Sequence, residues 1–160
     1  MDKKIRYTDH RVIISEIPRM YNQILERLLE KRDLETVLYL RMMMETGIRC
    51  RDLCELNDSN IKGREIKISA LKDGMEYHDF EGKYPKISKR TAQIARIVFR
   101  DGVCFSGTQQ GYMFRIRKCC DNPEFHPYLL RRYYMHIMLL RAYKKGVLIT
   151  SRRLFWGDIQ

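Results

Sequence analysis

The sequence predicts a mainly α-helical domain with a small antiparallel β-sheet, an α+β fold. Apolar residues recur at helical spacing over most of the chain, one central stretch alternates with the two-residue period of a strand, and that stretch contains a hairpin-turn signal. The chain has 160 residues, of which 44% are hydrophobic, so it is long enough for one domain with its own core.

The first helices are predicted from apolar periodicity. One amphipathic helix carries Met20, Ile24, Leu25, Leu28 and Leu29 on one face. Residues 34–44 are apolar nearly all round, which indicates a central helix, and Gly47 is a suitable terminator for it. Residues 51–56 are predicted to continue as a short helix that turns Leu53 and Leu56 inward.

The next stretch has the period of a strand. Ile66, Ile68 and Ala70 alternate with polar residues, and Lys72-Asp73-Gly74 is a hairpin-turn signal. Residues 84–87 are predicted to form a returning edge strand, a position at which Pro85 is tolerated.

The second half of the chain is predicted to be helical. Ser88 is a candidate N-cap for a helix whose Ile94, Ile97 and Val98 would face the core. Further helices are predicted over residues 109–120, 128–145 and 151–156.

The charge of the chain favours a polyanionic partner. Thirty-one Lys and Arg against twenty Asp and Glu give a formal net charge of +11. Residues 115–153 contain ten basic and two acidic side chains. The tyrosines interleaved with these charges are Tyr112, Tyr128, Tyr133, Tyr134 and Tyr143. Nucleic acid is therefore the expected partner, and a merely solvated basic face or an anionic membrane surface is the alternative.

Several classes of protein are disfavoured by the motifs that the sequence lacks. It has no Gly-rich phosphate loop, no HExxH, no GxSxG and no paired CxxC, and neither its histidines nor its acidic residues show the spacing of a metal site. Five cysteines, an odd number, argue against a disulfide framework. No membrane span or signal peptide is evident, so we expect an intracellular protein. No cofactor-binding motif is evident either, so we expect no cofactor. If the protein acts on phosphodiesters, cations without a metal must do the chemistry.

Three basic residues have unusual local settings. Arg49 follows a glycine at a helix junction, Lys72 lies at the hairpin tip, and Arg131 lies one turn into a helix. A guanidinium presents a planar fork to two phosphate oxygens. Two such forks with an ammonium group could hold a phosphate and stabilise charge as it becomes five-coordinate.

These residues resemble the tyrosine recombinases, the phage-integrase family. TGIRCRDLCEL is similar to the first-arginine box of that family, with Arg49, Asp52 and Leu53 at the matching positions. IKIS with ALKDG resembles the hairpin that carries the family's lysine, here Lys72, and YPKIS and SKRTAQIARIVF resemble the strand and helix that follow. FHPYLLRRYYMHIML resembles the His-x-x-Arg box, with Arg131 as its arginine. LFWGDIQ resembles the segment before the nucleophile, so the resemblance extends from about residue 33 to residue 160.

The resemblance implies a tyrosine recombinase catalytic-domain fold and a role for each matched residue. Arg49 and Arg131 would clamp the scissile phosphate, and Lys72 would protonate the departing 5′-oxygen. Tyr128 stands where the family has its histidine and would donate a hydrogen bond, since a phenol with an ordinary pKa near 10 is no base at neutral pH. In strict register Asp158 takes the third-box position, where an anion is unfavourable beside a phosphate; Trp156 is the alternative.

The family nucleophile, a tyrosine that forms a 3′-phosphotyrosyl bond, has no counterpart after Gly157. The resemblance therefore implies a single catalytic-type domain over residues 1–160 that stops before the nucleophile helix and lacks the N-terminal core-binding domain. Its partners would be double-stranded DNA and further copies of itself, as a dimer or tetramer. The expected DNA-binding residues are Lys86, Lys89, Arg90, Arg115, Lys118, Arg132, Arg152 and Arg153.

Two other functions fit the same residues. One is a non-catalytic DNA-binding relative of this fold, and the other is a type IB topoisomerase-like domain, which shares the clamp but does not exchange strands. The family implies a protein encoded by a virus or a mobile element, or one that acts in the cytoplasm of a prokaryotic host.

Overall fold

A computed structural model describes residues 12–100 and 105–147, which contain six α-helices and one two-stranded sheet. The elements in chain order are α1 (Ile17–Glu30), α2 (Leu34–Thr46), α3 (Cys50–Leu53), β1 (Ile61–Lys62), β2 (Glu65–Ile66), α4 (Lys89–Val98), α5 (Gln109–Lys118) and α6 (Tyr128–Lys144). The described part is thus mainly helical with a small antiparallel sheet, as the α+β prediction requires.

Helix α2 is the centre of the domain. Five of the described helices contact it, namely α1, α3, α4, α5 and α6. Its apolar residues are buried on every side: Val37, Leu38, Tyr39, Leu40, Met42 and Met43 are each at most 1% exposed. A helix that is apolar nearly all round must be covered all round, so the prediction of a central helix is confirmed.

The helix ends follow local side-chain chemistry. Asp33 caps α2 by accepting a hydrogen bond from the amide of Thr36 at 3.2 Å, and Gly47 ends that helix. Ser88 caps α4 through the amide of Thr91, also at 3.2 Å. Both predicted helix signals, the terminator Gly47 and the cap Ser88, are therefore confirmed.

The strand region is more irregular than its alternation predicts. Ile66, Ile68 and Ala70 are all buried, as expected, but regular pairing is confined to Ile61–Lys62 and Glu65–Ile66. The predicted edge strand at residues 84–87 pairs with β2 through a single antiparallel bridge between Glu65 and Lys86. The carbonyl oxygen of Pro85 accepts the amide of Ile66 at 2.9 Å, so the proline still contributes one hydrogen bond to this short pairing.

One of the three core positions predicted on α4 is wrong. Ile94 and Val98 are partly buried against the core as expected, but Ile97 is 62% exposed. The buried residues of this helix are Thr91, Ala92 and Ala95. Ile97 lies two residues beyond Ala95, about 200° further round the helix, so both cannot face inward. The short side chains allow α2 to approach closely, and Arg41 of α2 donates from Nε to the Thr91 hydroxyl at 2.8 Å. The polar contact to Thr91 and the small size of the alanine side chains therefore determine which face of α4 packs against α2.

The remaining helix predictions differ at their boundaries. The predicted helix at residues 51–56 is the shorter α3, although Leu53 and Leu56 are both fully buried as expected. The helix predicted over residues 151–156 lies outside the described residues.

Candidate active site

Arg49 lies at a sharp corner between α2 and α3. Gly47 ends α2 in the left-handed conformation, with φ of 64°, and its amide donates to the carbonyl oxygen of Met43 at 3.1 Å. A residue without a Cβ adopts this conformation without strain, which is why a glycine ends the helix here. Arg49 then takes up extended backbone and is the N-cap residue of α3. The arginine thus occupies the helix junction that the sequence predicts.

Helix α6 packs directly against this corner. A Cβ atom on Gly47 would lie 2.2 Å from Cδ1 of Tyr134, so the tyrosine ring fills the space that any other residue's side chain would need. Arg131 lies three residues before Tyr134 and therefore on the same face of α6. It is only 6% exposed, which is rare for a charged side chain. The contact at Gly47 thus brings the second predicted arginine towards the corner.

A buried carboxylate and hydroxyl connect the corner to the hairpin. Asp52 of α3 accepts a hydrogen bond from the Tyr77 hydroxyl at 2.5 Å and another from the Leu71 amide at 2.9 Å. The Tyr77 oxygen in turn accepts the amide of Arg49 at 3.3 Å. Asp52 is 3% exposed and Tyr77 is fully buried. We refer to Asp52 and Tyr77 together as the clasp.

The charge of Arg131 acts on groups at the corner. Burial raises the pKa of Tyr77 to about 12, the Asp52 carboxylate adds to the rise, and Arg131 opposes it. Burial likewise raises the pKa of the Cys50 thiol to about 12, and Arg131 again acts in the lowering direction. The guanidinium is therefore within electrostatic range of the clasp and of the residue that follows Arg49.

Lys72 occupies the exposed turn of the hairpin that the clasp holds. The amide of Gly74 donates to the carbonyl oxygen of Ala70 at 2.8 Å, which closes the turn. Lys72 directly follows Leu71, whose amide donates to Asp52 of the clasp. The Cα atoms of the two residues are about 3.8 Å apart. The chain segments that carry Arg49 and Lys72 are therefore joined through one buried pair, and α6, which carries Arg131, packs beside the same corner at Gly47.

Tyr128 begins α6, one turn before Arg131, and stacks on His126. The two ring centroids are 4.8 Å apart with 11° between the planes, and the Tyr128 amide donates to Nδ1 of His126 at 3.3 Å. Gln109 donates to the Tyr128 hydroxyl at 3.4 Å. Burial, helped by the charge of Arg117, lowers the pKa of His126, because both disfavour the charged imidazolium. An imidazole thus lies beside Tyr128, although His126 is two positions before the one at which the family has its histidine.

The predicted DNA-binding residues in the described part of the chain are mostly on the surface. Lys86, Lys89, Arg90, Arg115 and Lys118 are exposed, and Arg132 is half-buried. Arg115 also has local contacts, because its Nη1 lies 4.0 Å from the Asp33 carboxylate and its guanidinium lies over the Tyr112 ring. Arg152, Arg153 and Asp158 fall outside the described residues, as does Trp156.

Tyr77 is the residue at this site that the sequence reasoning missed. The family resemblance includes Asp52 only as part of the first-arginine box, and it does not include Tyr77. The amide of Tyr77 donates to the carbonyl oxygen of Ile68 at 3.1 Å, so these residues lie opposite each other in the hairpin. Opposite residues of an antiparallel pair share a face, and Ile68 faces the core. Continuing the alternation across the turn would have placed Tyr77 inside.

Metal-site and membrane-span patterns are not found in the part of the chain that the structure describes. No group of three or more His, Cys, Asp and Glu side chains within residues 12–100 and 105–147 is arranged to hold a metal ion. None of the described helices combines the length and the apolar character that a membrane crossing requires.

No protein-family model matches the chain, and neither a curated protein nor a solved structure matches it. The function is therefore inferred from the residues and geometry of this chain.

Proposed function

We propose that this chain is the catalytic domain of a site-specific DNA recombinase with the tyrosine recombinase fold. The observation that carries the proposal is the joining of two distant segments through the clasp, with α6 packed beside them. The corner with Arg49 and the hairpin with Lys72 are far apart in sequence, and each is hydrogen-bonded to Asp52 or Tyr77. The charge of Arg131, on α6, acts in the direction that lowers the pKa of Tyr77, and Tyr134 of the same helix fills the space beside Gly47. A metal-free phosphate clamp requires several cations near one phosphate, and this connection between the corner and the hairpin is what supports the assignment of Arg49, Lys72 and Arg131 to one.

The proposed chemistry assigns one role to each cation. The guanidinium groups of Arg49 and Arg131 bind the non-bridging oxygens of the scissile phosphate and stabilise the charge that builds up as phosphorus becomes five-coordinate. Lys72 gives a proton to the departing 5′-oxygen. The attacking group is a tyrosine hydroxyl from outside these 160 residues, which releases its proton to solvent water as it forms the 3′-phosphotyrosyl bond and the bond from phosphorus to the 5′-oxygen breaks.

Tyr128 has a supporting role in this proposal. Its phenol donates a hydrogen bond to a phosphate oxygen, and it does not act as a base because an unperturbed phenol is neutral at pH 7. The exposed basic side chains hold the duplex through its phosphates, and further copies of the protein assemble on the same DNA.

The decisive experiment is covalent trapping on a nicked suicide duplex, with a version of the protein extended past Gln160 through its reading frame. We expect Arg49→Ala and Arg131→Lys to reduce the covalent adduct at least about a thousandfold, because each removes a guanidinium fork from the transition state. Duplex affinity should stay within about tenfold, since many other cations share the backbone contacts.

Arg96→Ala is the matched control, because Arg96 lies exposed on α4 and was not assigned to the site. Circular dichroism would establish that the Arg131 variant is folded. Wild-type levels of adduct in both site variants, or equal losses of binding and adduct, would contradict the clamp. Duplex binding without any adduct in the extended wild type would favour the non-catalytic DNA-binding alternative.

A further inference from the structure

We infer that Tyr77 is a positioning residue, which holds the Lys72 hairpin against the Arg49 corner through Asp52. The catalytic consequence of this inference rests on the proposed function. The connection between the hairpin and the corner rests on the hydrogen bonds of Tyr77 and Asp52. Tyr77 reaches no exposed surface, so we assign it no contact with DNA.

The clasp takes one hydrogen bond from each side of the hairpin. Leu71, before the turn, donates its amide to Oδ1 of Asp52, and Tyr77, after the turn, donates its hydroxyl to Oδ2. Asp52 lies in α3, three residues after Arg49, so both sides of the hairpin are tied to the same short helix. Because residues before and after the turn are both bound to Asp52, the hairpin cannot rotate relative to α3 about a single attachment point.

The Tyr77 hydroxyl also binds the corner directly. It accepts the backbone amide of Arg49 while it donates to Asp52, so one oxygen connects the backbone of the first arginine to the carboxylate that holds the hairpin. Without that oxygen, Asp52 would keep only its hydrogen bond from Leu71 among those described above, and its carboxylate could rotate. The backbone of Lys72 is one residue from that point.

This connection matters because proton transfer depends on placement. A displacement of about 1 Å at a reacting group can reduce a rate by about a hundredfold. Loss of the Tyr77 hydroxyl should therefore lower the rate of the chemical step. It should leave unchanged the duplex affinity that the exposed basic side chains provide.

The chain contains a matched control for the loss of a buried hydroxyl. Tyr112 is fully buried, and its oxygen accepts the amide of Gly107 at 2.9 Å while it donates to the Glu35 carboxylate. These are the same two kinds of hydrogen bond that Tyr77 makes. The bond to Glu35 joins α5 to α2, and the bond from Gly107 ties α5 to the loop before it. Neither involves the hairpin, so Tyr112→Phe removes similar bonds elsewhere in the core.

The first test is amide hydrogen exchange in the 160-residue chain. We expect Tyr77→Phe to lower the protection of the Leu71 amide at least about tenfold, and to leave the Gly74 amide unchanged because its bond lies within the turn. Tyr112→Phe should change neither. Unchanged protection at Leu71 in a folded Tyr77→Phe protein would overturn the proposal.

A second variant keeps the test decisive if Tyr77→Phe does not fold. Asp52→Asn retains an oxygen for the Leu71 amide and removes the charge that strengthens the bond from Tyr77. We expect the same loss of protection at Leu71, by a smaller factor. No loss in this variant would overturn the proposal.

The second test measures the rate of adduct formation at saturating duplex in the extended version. Tyr77→Phe should lower that rate by about a hundredfold, with duplex affinity unchanged, and Tyr112→Phe should lower neither. Equal effects of the two variants would reduce Tyr77 to a structural role and overturn the proposal. If the wild type forms no adduct, the proposed function fails, and the exchange experiment still decides whether Tyr77 holds the hairpin.

Discussion

The contact between Gly47 and Tyr134 predicts a large and specific loss of stability for Gly47→Ala. Two effects add at this position. An alanine held at φ of 64° has about 1 kcal/mol of backbone strain, and its Cβ would lie 2.2 Å from Cδ1 of Tyr134. Overpacking of this kind typically costs about 1–3 kcal/mol. We therefore expect the free energy of unfolding to fall by about 3 kcal/mol.

Thermal unfolding followed by circular dichroism provides the measurement. In a domain of this size the melting temperature should fall by about 6–12 °C. Gly63→Ala is the control, because Gly63 has a similar φ of 62° and nothing lies within 4 Å of the position of its Cβ. That variant has only the backbone strain and should lose about 2–4 °C.

A double-mutant cycle separates the steric effect from the backbone effect. In a Tyr134→Ala background the ring is gone, so Gly47→Ala should cost only the backbone strain, about 1 kcal/mol. A Gly47→Ala protein that is as stable as Gly63→Ala would contradict the steric clash. So would a cost of Gly47→Ala that is the same with and without the Tyr134 ring.

Two further predictions concern pH and salt. Burial acts to raise the pKa of Glu35, but hydrogen bonds from Tyr112 and Ser106 outweigh it and lower the pKa below the ordinary value of 4.5. The stabilisation is therefore present above pH 4.5 and is lost as the pH falls through the lowered pKa. Glu35→Gln should cost about 1 kcal/mol at pH 7, and urea titrations should show this gap closing at acid pH; a constant gap would contradict the assignment. Duplex affinity should fall about a thousandfold between about 50 and about 200 mM salt, because binding to several phosphates releases counterions, and a shallow slope in fluorescence anisotropy titrations would contradict a phosphate-bound complex.

The sequence by itself determined the features that depend on neighbouring residues. The end of α2 at Gly47, the cap at Ser88 and the turn around Lys72 follow from backbone preferences and from side chains that bond to amides nearby. The central position of α2 could also be predicted from the sequence, since apolar residues lie on all sides of this helix. Each of these depends on contacts within a few residues or on the composition of one element.

Only the tertiary structure decided which elements meet. Ile97 is exposed although it is more apolar than the alanines that face α2, because the fit between two helices depends on shape and polar contacts at long range. For the same reason the bond between Asp52 and Tyr77 could not be predicted: 25 residues separate them, and their pairing depends on how the hairpin folds back onto α3. Local patterns identified Arg49, Lys72 and Arg131 as candidates, and long-range packing determined that the segments with Arg49 and Lys72 are joined through one buried pair and that α6 packs beside Gly47.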